Sequence, residues 1–261
     1  MSRMHFIDYL PIWAVYLLTV GFGLLIEELG FQVGKYFKKH RPQLTDSHIG
    51  TMLGATLGLW AFLLATLVGI ANNRYEVRRI LVLDEANTIG TTYLRAGYLP
   101  EPIGSQSRAL LRDYASERLK LVDLDTYAAA RQRSEEIQPL LWSLAQELVI
   151  TQPANPAYGI YVDSLNRTID LHASRVTAMT TARIPVTIYI GMYLVAYLGL
   201  FMLGFQSGIN GERNWVVMVA LTLIFSGVML LIIDLDRPWG GFLQVNQQPL
   251  IDLVNSLADY K

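Results

Sequence analysis

Four long apolar runs divide the chain, at residues 9–26, 49–71, 184–207 and 214–233. Each is long enough to cross the hydrocarbon of a bilayer as a helix, for which about 20 residues suffice. The second run meets no break signal at its end. It continues into NNRYEVRRILVLDEANTIGTTYLRA, residues 72–96, where charged and hydroxyl side chains are interleaved with Ile80, Leu81, Leu83, Ile89 and Leu94. That pattern predicts one rod that leaves the lipid and projects into water, burying one side against other helices. The first run lacks the basic start, short apolar stretch and small-residue cleavage site of a secretory signal, so it reads as a retained transmembrane helix. Glu27 and Glu28 close it, and the basic residues Lys35, Lys38, Lys39 and Arg41 follow as an interfacial loop with a possible contact to anionic lipid.

Between the second and third runs the periodicity is helical but the composition is that of a soluble bundle. Apolar positions Leu110, Leu111, Tyr114, Leu119 and Leu121 predict an amphipathic helix over 105–122, with Arg108, Arg112 and Arg118 among its polar residues. A second helix covers 125–150, with a kink or short break at Pro139. After a loop marked by Pro153 and Pro156, a long helix over 158–183 returns to the membrane. Beyond the fourth run, residues 234–240 form a tight polar turn and Pro249 opens a short amphipathic helix. The expected fold is an all-α membrane protein. Residues 1–71 hold the first two transmembrane helices, 72–183 the soluble helical bundle, 184–234 the other two spans and 235–261 the turn and terminal helix. Four spans place both termini and the bundle on one side. Arg3, Arg74, Arg78, Arg79, Arg183 and Arg237 on that side against Lys35, Lys38, Lys39, Arg41 and Arg213 on the other tilt the bundle toward the cytoplasm.

Composition narrows the chemistry. With 52% hydrophobic and 16% charged residues the chain is too apolar for an ordinary soluble domain. A formal net charge of −1 argues against a nucleic-acid partner. The absence of cysteine removes disulfides, thiolate catalysis and cysteine-ligated metals. His5, His40, His48 and His172 are scattered, without zinc spacing, and no glycine-rich phosphate loop is present. Asp84 and Glu85 are adjacent, so on a helix they project about a hundred degrees apart and cannot clasp one group. Asp234 and Asp236 fall short of the six or more oxygens of a hard-cation cage, and solvated or Arg-paired carboxylates are the expectation. No enzyme, cofactor or metal site is indicated.

The second span carries the candidate site. Gly50, Gly54 and Gly58 recur every four residues, and Ala61, Ala65 and Gly69 form another such row. Small residues so spaced allow close helix packing, and the stripe continued through Phe62, Thr66 and Ile70 would equally line a narrow conduit. Both readings stay open. In the extension, Glu85 and Arg95 suit either a buried polar network or an ion-coordinating or gating ring, and Gly90 suggests a bend or a close approach.

At two places the chain resembles the bestrophins. A glycine-bearing second span runs into Arg74-Tyr75 followed by Arg78-Arg79, and the last span is followed by Asp236-Arg237-Pro238-Trp239-Gly240 and then Gln248-Pro249-Leu250. Residues 85–96 with Leu99-Pro100 are closer still to a bacterial bestrophin-like membrane family. The resemblance implies a homopentamer whose second spans surround a pore that continues through a helical vestibule, in the inner membrane of a bacterium. It places Gly58, Phe62 and Thr66 at the neck, which is wider and more polar here than the bestrophins' large apolar residues make it. The acidic run that binds calcium in animal bestrophins is missing, so calcium activation is not implied. Asn72, Asn73 and Arg74 would ring the pore mouth, with Arg74, Glu85 and Arg95 as an ion-selecting or gating network. The functional expectation is an ion channel, conducting anions such as chloride or weakly selective, whose partners are inorganic ions, membrane lipid and copies of itself. The alternative is a non-conducting scaffold or regulator that binds a protein through its bundle.

Overall fold

The computed structural model describes residues 10–40, 46–151 and 155–259. Arg3, His5, Arg41 and Pro153 lie outside the described residues, as does the side chain of His48. Eight α-helices follow in order: α1 (Ile12–His40), α2 (Asp46–Ala96), α3 (Ile103–Leu119), α4 (Leu124–Thr151), α5 (Pro156–Thr180), α6 (Val186–Asn210), α7 (Trp215–Asp236) and α8 (Gln248–Asp259). A single 3₁₀ turn, Lys120–Val122, joins α3 to α4, and no strand occurs among the described residues. Helices α1, α2, α6 and α7 are long and apolar enough to cross a membrane. The chain divides into two compact units, a membrane unit of residues 4–74 and 183–243 and a bundle unit built mainly from 75–182 and 244–261.

In the membrane unit α1 packs along α6 and against α7. Glycines make that approach possible: a Cβ on Gly30 would overlap the Phe201 carbonyl, and one on Gly34 the Phe205 carbonyl. From the other side, a Cβ on Gly204 would overlap the carbonyl of Glu27 and one on Gly208 that of Phe31. Apolar surface gains nothing by leaving lipid for another apolar helix, so backbone proximity at small residues supplies the contact instead. These contacts correct the expected end of the first span. Rather than closing at Glu27 and Glu28 into a basic loop, α1 continues to His40. Gly30 and Gly34 hold its second half on α6, Glu28 is met by Arg213, and Lys38, Lys39 and His40 occupy the last turn, where cations favour a helix end.

The turn after α7 is fastened by its own carboxylates. Asp234 accepts the backbone N–H groups of Phe242 and Leu243 at 2.8 and 3.0 Å, while Gly240 adopts the left-handed φ of 71° that the reversal needs. Asp236 accepts from the Ile184 N–H at 3.1 Å and from Arg183 at 3.3 Å, and Arg237 donates to the Leu10 carbonyl at 3.0 Å. Asp236 is thus the Arg-paired carboxylate expected, and no cluster of His, Asp and Glu able to hold a metal occurs among the described residues.

The bundle unit closes around Val82, Ile89 and Tyr93 of α2, Leu111 and Tyr114 of α3, Ile137 and Leu141 of α4, Tyr161 and Leu165 of α5, and Leu250 of α8. Two expected interruptions do not break their helices. α4 runs through Pro139, where burial of Ile137, Leu141, Ala145 and Leu148 offsets the lost backbone hydrogen bond. Gly90 sits within the continuous α2, and the Leu253 side chain of α8 lies 3.1 Å from where its Cβ would be, so it marks a close approach.

The α1–α6 contact predicts an asymmetric response to alanine. Gly204→Ala should destabilise the detergent-solubilised protein by about 1–3 kcal/mol through overpacking. Gly191→Ala, on the same helix but with nothing near its Cβ position, should not lower stability. Equal midpoints for the two variants in denaturant would show that the glycine contact is not what holds α1 on α6.

Candidate functional site

Helix α2 has one face committed and one face open in its apolar half. Leu53, Leu64, Leu67 and Ala71 are buried, Trp60 packs its ring 5.1 Å from that of Phe225 on α7, and Leu57 reaches Gly199 of α6. On other positions of the same helix nothing lies near the Cβ sites of Gly54, Gly58 or Gly69. Phe62 is 68% exposed, and Thr66, Asn72 and Asn73 are exposed as well. The Thr66 hydroxyl donates to the Phe62 carbonyl at 3.0 Å, which satisfies it within the helix. Gly54 and Gly58 of the α2 row make no contact inside the chain, and Gly50 meets only the Gln206 side-chain amide, 3.2 Å from its Cβ position; the backbone-to-backbone glycine packing of this unit is between α1 and α6.

The second constellation lies in the bundle unit. Glu85 is fully buried, and both its oxygens accept from guanidinium groups: Arg118 Nε at 2.6 Å, and Arg175 Nη1. Arg175 Nη2 continues to the Gln247 side-chain oxygen at 2.8 Å, just ahead of α8. Arg118 Nη1 donates to His172 Nδ1 at 2.8 Å, leaving His172 Nε2 facing Glu135 across 3.7 Å, while Arg131 holds Glu135 at 2.8 Å. One cluster thus joins α2, α3, α4, α5 and the entry to α8. A donor arriving at Nδ1 requires a neutral imidazole there. Burial, reinforced by the Arg118 charge, pushes the His172 pKa down from 6.5 to about 4 against the opposing pull of Glu85 and Glu135.

This geometry separates residues that the sequence grouped. Glu85 pairs with Arg118 and Arg175, whereas Arg95 donates to the Ile160 carbonyl at 2.7 Å and Arg79 pairs with Glu76 at 3.2 Å. Arg74, half-buried, ends the membrane unit's part of α2. Sequence reasoning missed Arg118 and Arg175 as the partners of Glu85, and His172 as the partner of Arg118. Their signal was present only as polar residues at packing positions of α3 and α5, where a buried charge demands a counter-charge.

Two outcomes follow from the cluster. Glu85→Gln leaves two buried guanidiniums without a carboxylate and should cost about 3–5 kcal/mol, read as a fall in the unfolding midpoint. For His172, the unfolded chain takes up a proton near 6.5 that the folded chain refuses until about 4, so its stabilising contribution is complete above 6.5 and lost as pH falls through that window. Melts from neutral to acid pH should show that slope in the wild type and a shallower one in His172→Gln; identical slopes would exclude His172 as its source.

Comparison with known proteins supports one family. A search of curated proteins finds no match. Among solved structures, a leucine-to-threonine variant of a bacterial bestrophin homologue from Klebsiella pneumoniae superposes with a TM-score of 0.71 at 14% identity, covering 94% of this chain and 98% of that one. Another structure of a bacterial bestrophin homologue from Klebsiella pneumoniae gives 0.67 at 16% identity, over 92% and 95%. A proline-to-alanine variant described as a membrane protein gives 0.71 at 14% identity, over 94% and 97%. At these identities the likeness is one of fold. The model of the bestrophin-like domain matches residues 21–250, nearly the whole chain, and the protein belongs to the bestrophin-like family.

Proposed function

We propose that this protein is an oligomeric ion channel in which each subunit contributes α2 to a central pore. The observation that carries the reading is the unpartnered face of α2. A membrane helix that seats Leu64, Leu67 and Trp60 on its neighbours leaves Gly58, Phe62, Thr66, Asn72 and Asn73 uncovered. Glycine, a threonine hydroxyl and two asparagine amides give a lipid-facing surface little to offer, but they suit a water-filled axis shared by several copies. A ring of five is the arrangement that the resemblance to bestrophins implies, and in it Gly58, Phe62 and Thr66 form the neck. Phe62, the bulkiest of the three, sets the constriction and gates by dewetting. Asn72, Asn73 and Arg74 ring the mouth and bias the pore toward anions such as chloride or toward weak selectivity. Glu85 and Arg95 then act at one remove from the permeating ion, Glu85 through the buried cluster that fixes the bundle half of α2. The bundle faces the cytoplasm of a bacterium, by the arginine distribution about the spans.

A second reading rests on the bundle unit. α2 and α8 border an open groove lined by Ile80, Leu83, Leu94, Pro249 and Leu253, with Glu76, Arg79 and Asp252 among its polar residues. Such a surface also suits a non-conducting scaffold that docks a protein partner. Subunit count separates the two: a closed ring with an axial opening favours the channel, and a monomer or two-fold dimer favours the scaffold.

Purified protein in planar bilayers under asymmetric salt should pass current whose reversal potential gives the preferred ion. Phe62→Ala should raise single-channel conductance; unchanged currents would take Phe62 out of the constriction. Silence across voltage and pH from a folded, oligomeric preparation would move the assignment to the scaffold.

A further inference from the structure

Glu27 is fully buried in the membrane unit, and neither of its carboxyl oxygens has a hydrogen-bond partner. The side chain leaves α1 where its own backbone carbonyl meets Gly204 of α6, and it faces the Thr222 hydroxyl of α7. Thr222 is also fully buried, and its hydroxyl has no hydrogen-bond partner elsewhere. The carboxyl and the Thr222 hydroxyl therefore face each other between apolar helices, with no basic side chain paired to them among the described residues. Thr222 lies two turns into α7 from Trp215, roughly 10 Å by helical rise, so the group is below the helix ends and not at them.

Among the described residues no charged side chain is paired with Glu27. α6 contains no charged residue at all, and the only ones in α7, Asp234 and Asp236, are carboxylates occupied by backbone N–H groups and Arg183. On α1 itself, Glu28 is taken by Arg213 and Gln32, and Arg213 also stacks on the Trp215 and Phe31 rings, 3.8 and 4.6 Å from their centres. Lys35, Lys38, Lys39 and His40 are two or more turns further along the helix. An ionised carboxylate so enclosed is strongly unfavourable without a counter-ion, and hydroxyls that find no donor or acceptor add to the cost.

We propose that Glu27, with Thr222, forms an intramembrane binding site for a small monovalent cation, a proton or an alkali ion. The carboxyl supplies the negative charge and the Thr222 hydroxyl a further oxygen for coordination or hydrogen bonding. Divalent cations do not fit, because they take six or more oxygens and would leave a net charge against one carboxylate. The site differs from the pore surface of α2 and does not depend on that surface conducting. Because the backbone carbonyl of the same residue sits at the close approach of α1 and α6, occupancy and helix packing share one equilibrium: an empty site puts an unpaired charge beside the contact.

The test uses the wild-type protein reconstituted in lipid, with Glu27→Gln as the spectroscopic reference, since glutamine copies the shape of a neutral acid. In sodium-free buffer at neutral pH, the infrared difference between the two should contain a carboxylic-acid carbonyl band if the cation is a proton. If an alkali ion is bound, carboxylate bands appear instead and shift saturably with sodium or lithium. Thr222→Val should displace whichever band is present. A carboxylate signal indifferent to sodium and lithium would mean that water alone solvates Glu27, and would overturn the site. Should Glu27→Gln not fold, modification of the wild type by a membrane-soluble carbodiimide decides. Glu27 labelled in sodium-free buffer supports the site, with sodium slowing the reaction several-fold for an alkali ion and not at all for a proton. A folded sample in which Glu27 stays unlabelled refutes it.

Discussion

A single helix of 51 residues, roughly 76 Å at the α-helical rise, has to be compatible with lipid over one half and with water over the other. A break within its membrane half would leave backbone polar groups in the hydrocarbon without a partner. Continuity in α2 therefore constrains everything that packs on it. Its apolar half must be held by contacts that work without hydrophobic gain, and its polar half must find partners for every charge it carries inward.

The two units meet those demands by different physics. In the membrane unit Gly30, Gly34, Gly204 and Gly208 bring two backbones together, so α1 and α6 are secured by proximity. In the bundle unit the apolar core around Ile89, Leu111, Tyr114 and Leu165 supplies the burial, and a dry charge cluster fixes its register. Glu85 cannot turn away from Arg118 and Arg175 without leaving three charges uncompensated. The carboxylates of the α7 turn serve a similar end on a smaller scale. Asp234 and Asp236 satisfy backbone N–H groups where the chain leaves the last membrane helix, so the reversal at Gly240 costs no orphaned donor.

Glu27 and Glu85 show how unlike two buried carboxylates can be. Glu85 is enclosed with two guanidiniums and acts as a brace. Glu27 is enclosed facing the Thr222 hydroxyl, with no counter-charge among the described residues. Along the chain they look alike, an acidic residue beside another acidic residue at the end of an apolar stretch. The first was legible as a buried polar network, because α2 is amphipathic around it. The second read as an interfacial charge closing a span, because sequence gave no sign that α1 continues to His40 on a glycine contact with a helix some 170 residues later.

The four spans, the unbroken passage of α2 into the soluble region, the helical bundle and the amphipathic terminal helix all follow from local composition and periodicity. Hydrophobic length and turn residues act within a few tens of positions, and those are the properties a sequence displays directly. The likeness to bestrophins was equally local, carried by short stretches around Arg74 and Pro238. Pairing is another matter. That Glu85 meets Arg118 and Arg175, that the glycines in backbone-to-backbone contact are those of α1 and α6, and that Glu27 is closed off from water depend on which helix faces come together. The tertiary fold alone decides this, because burial and counter-charge are properties of neighbours in space.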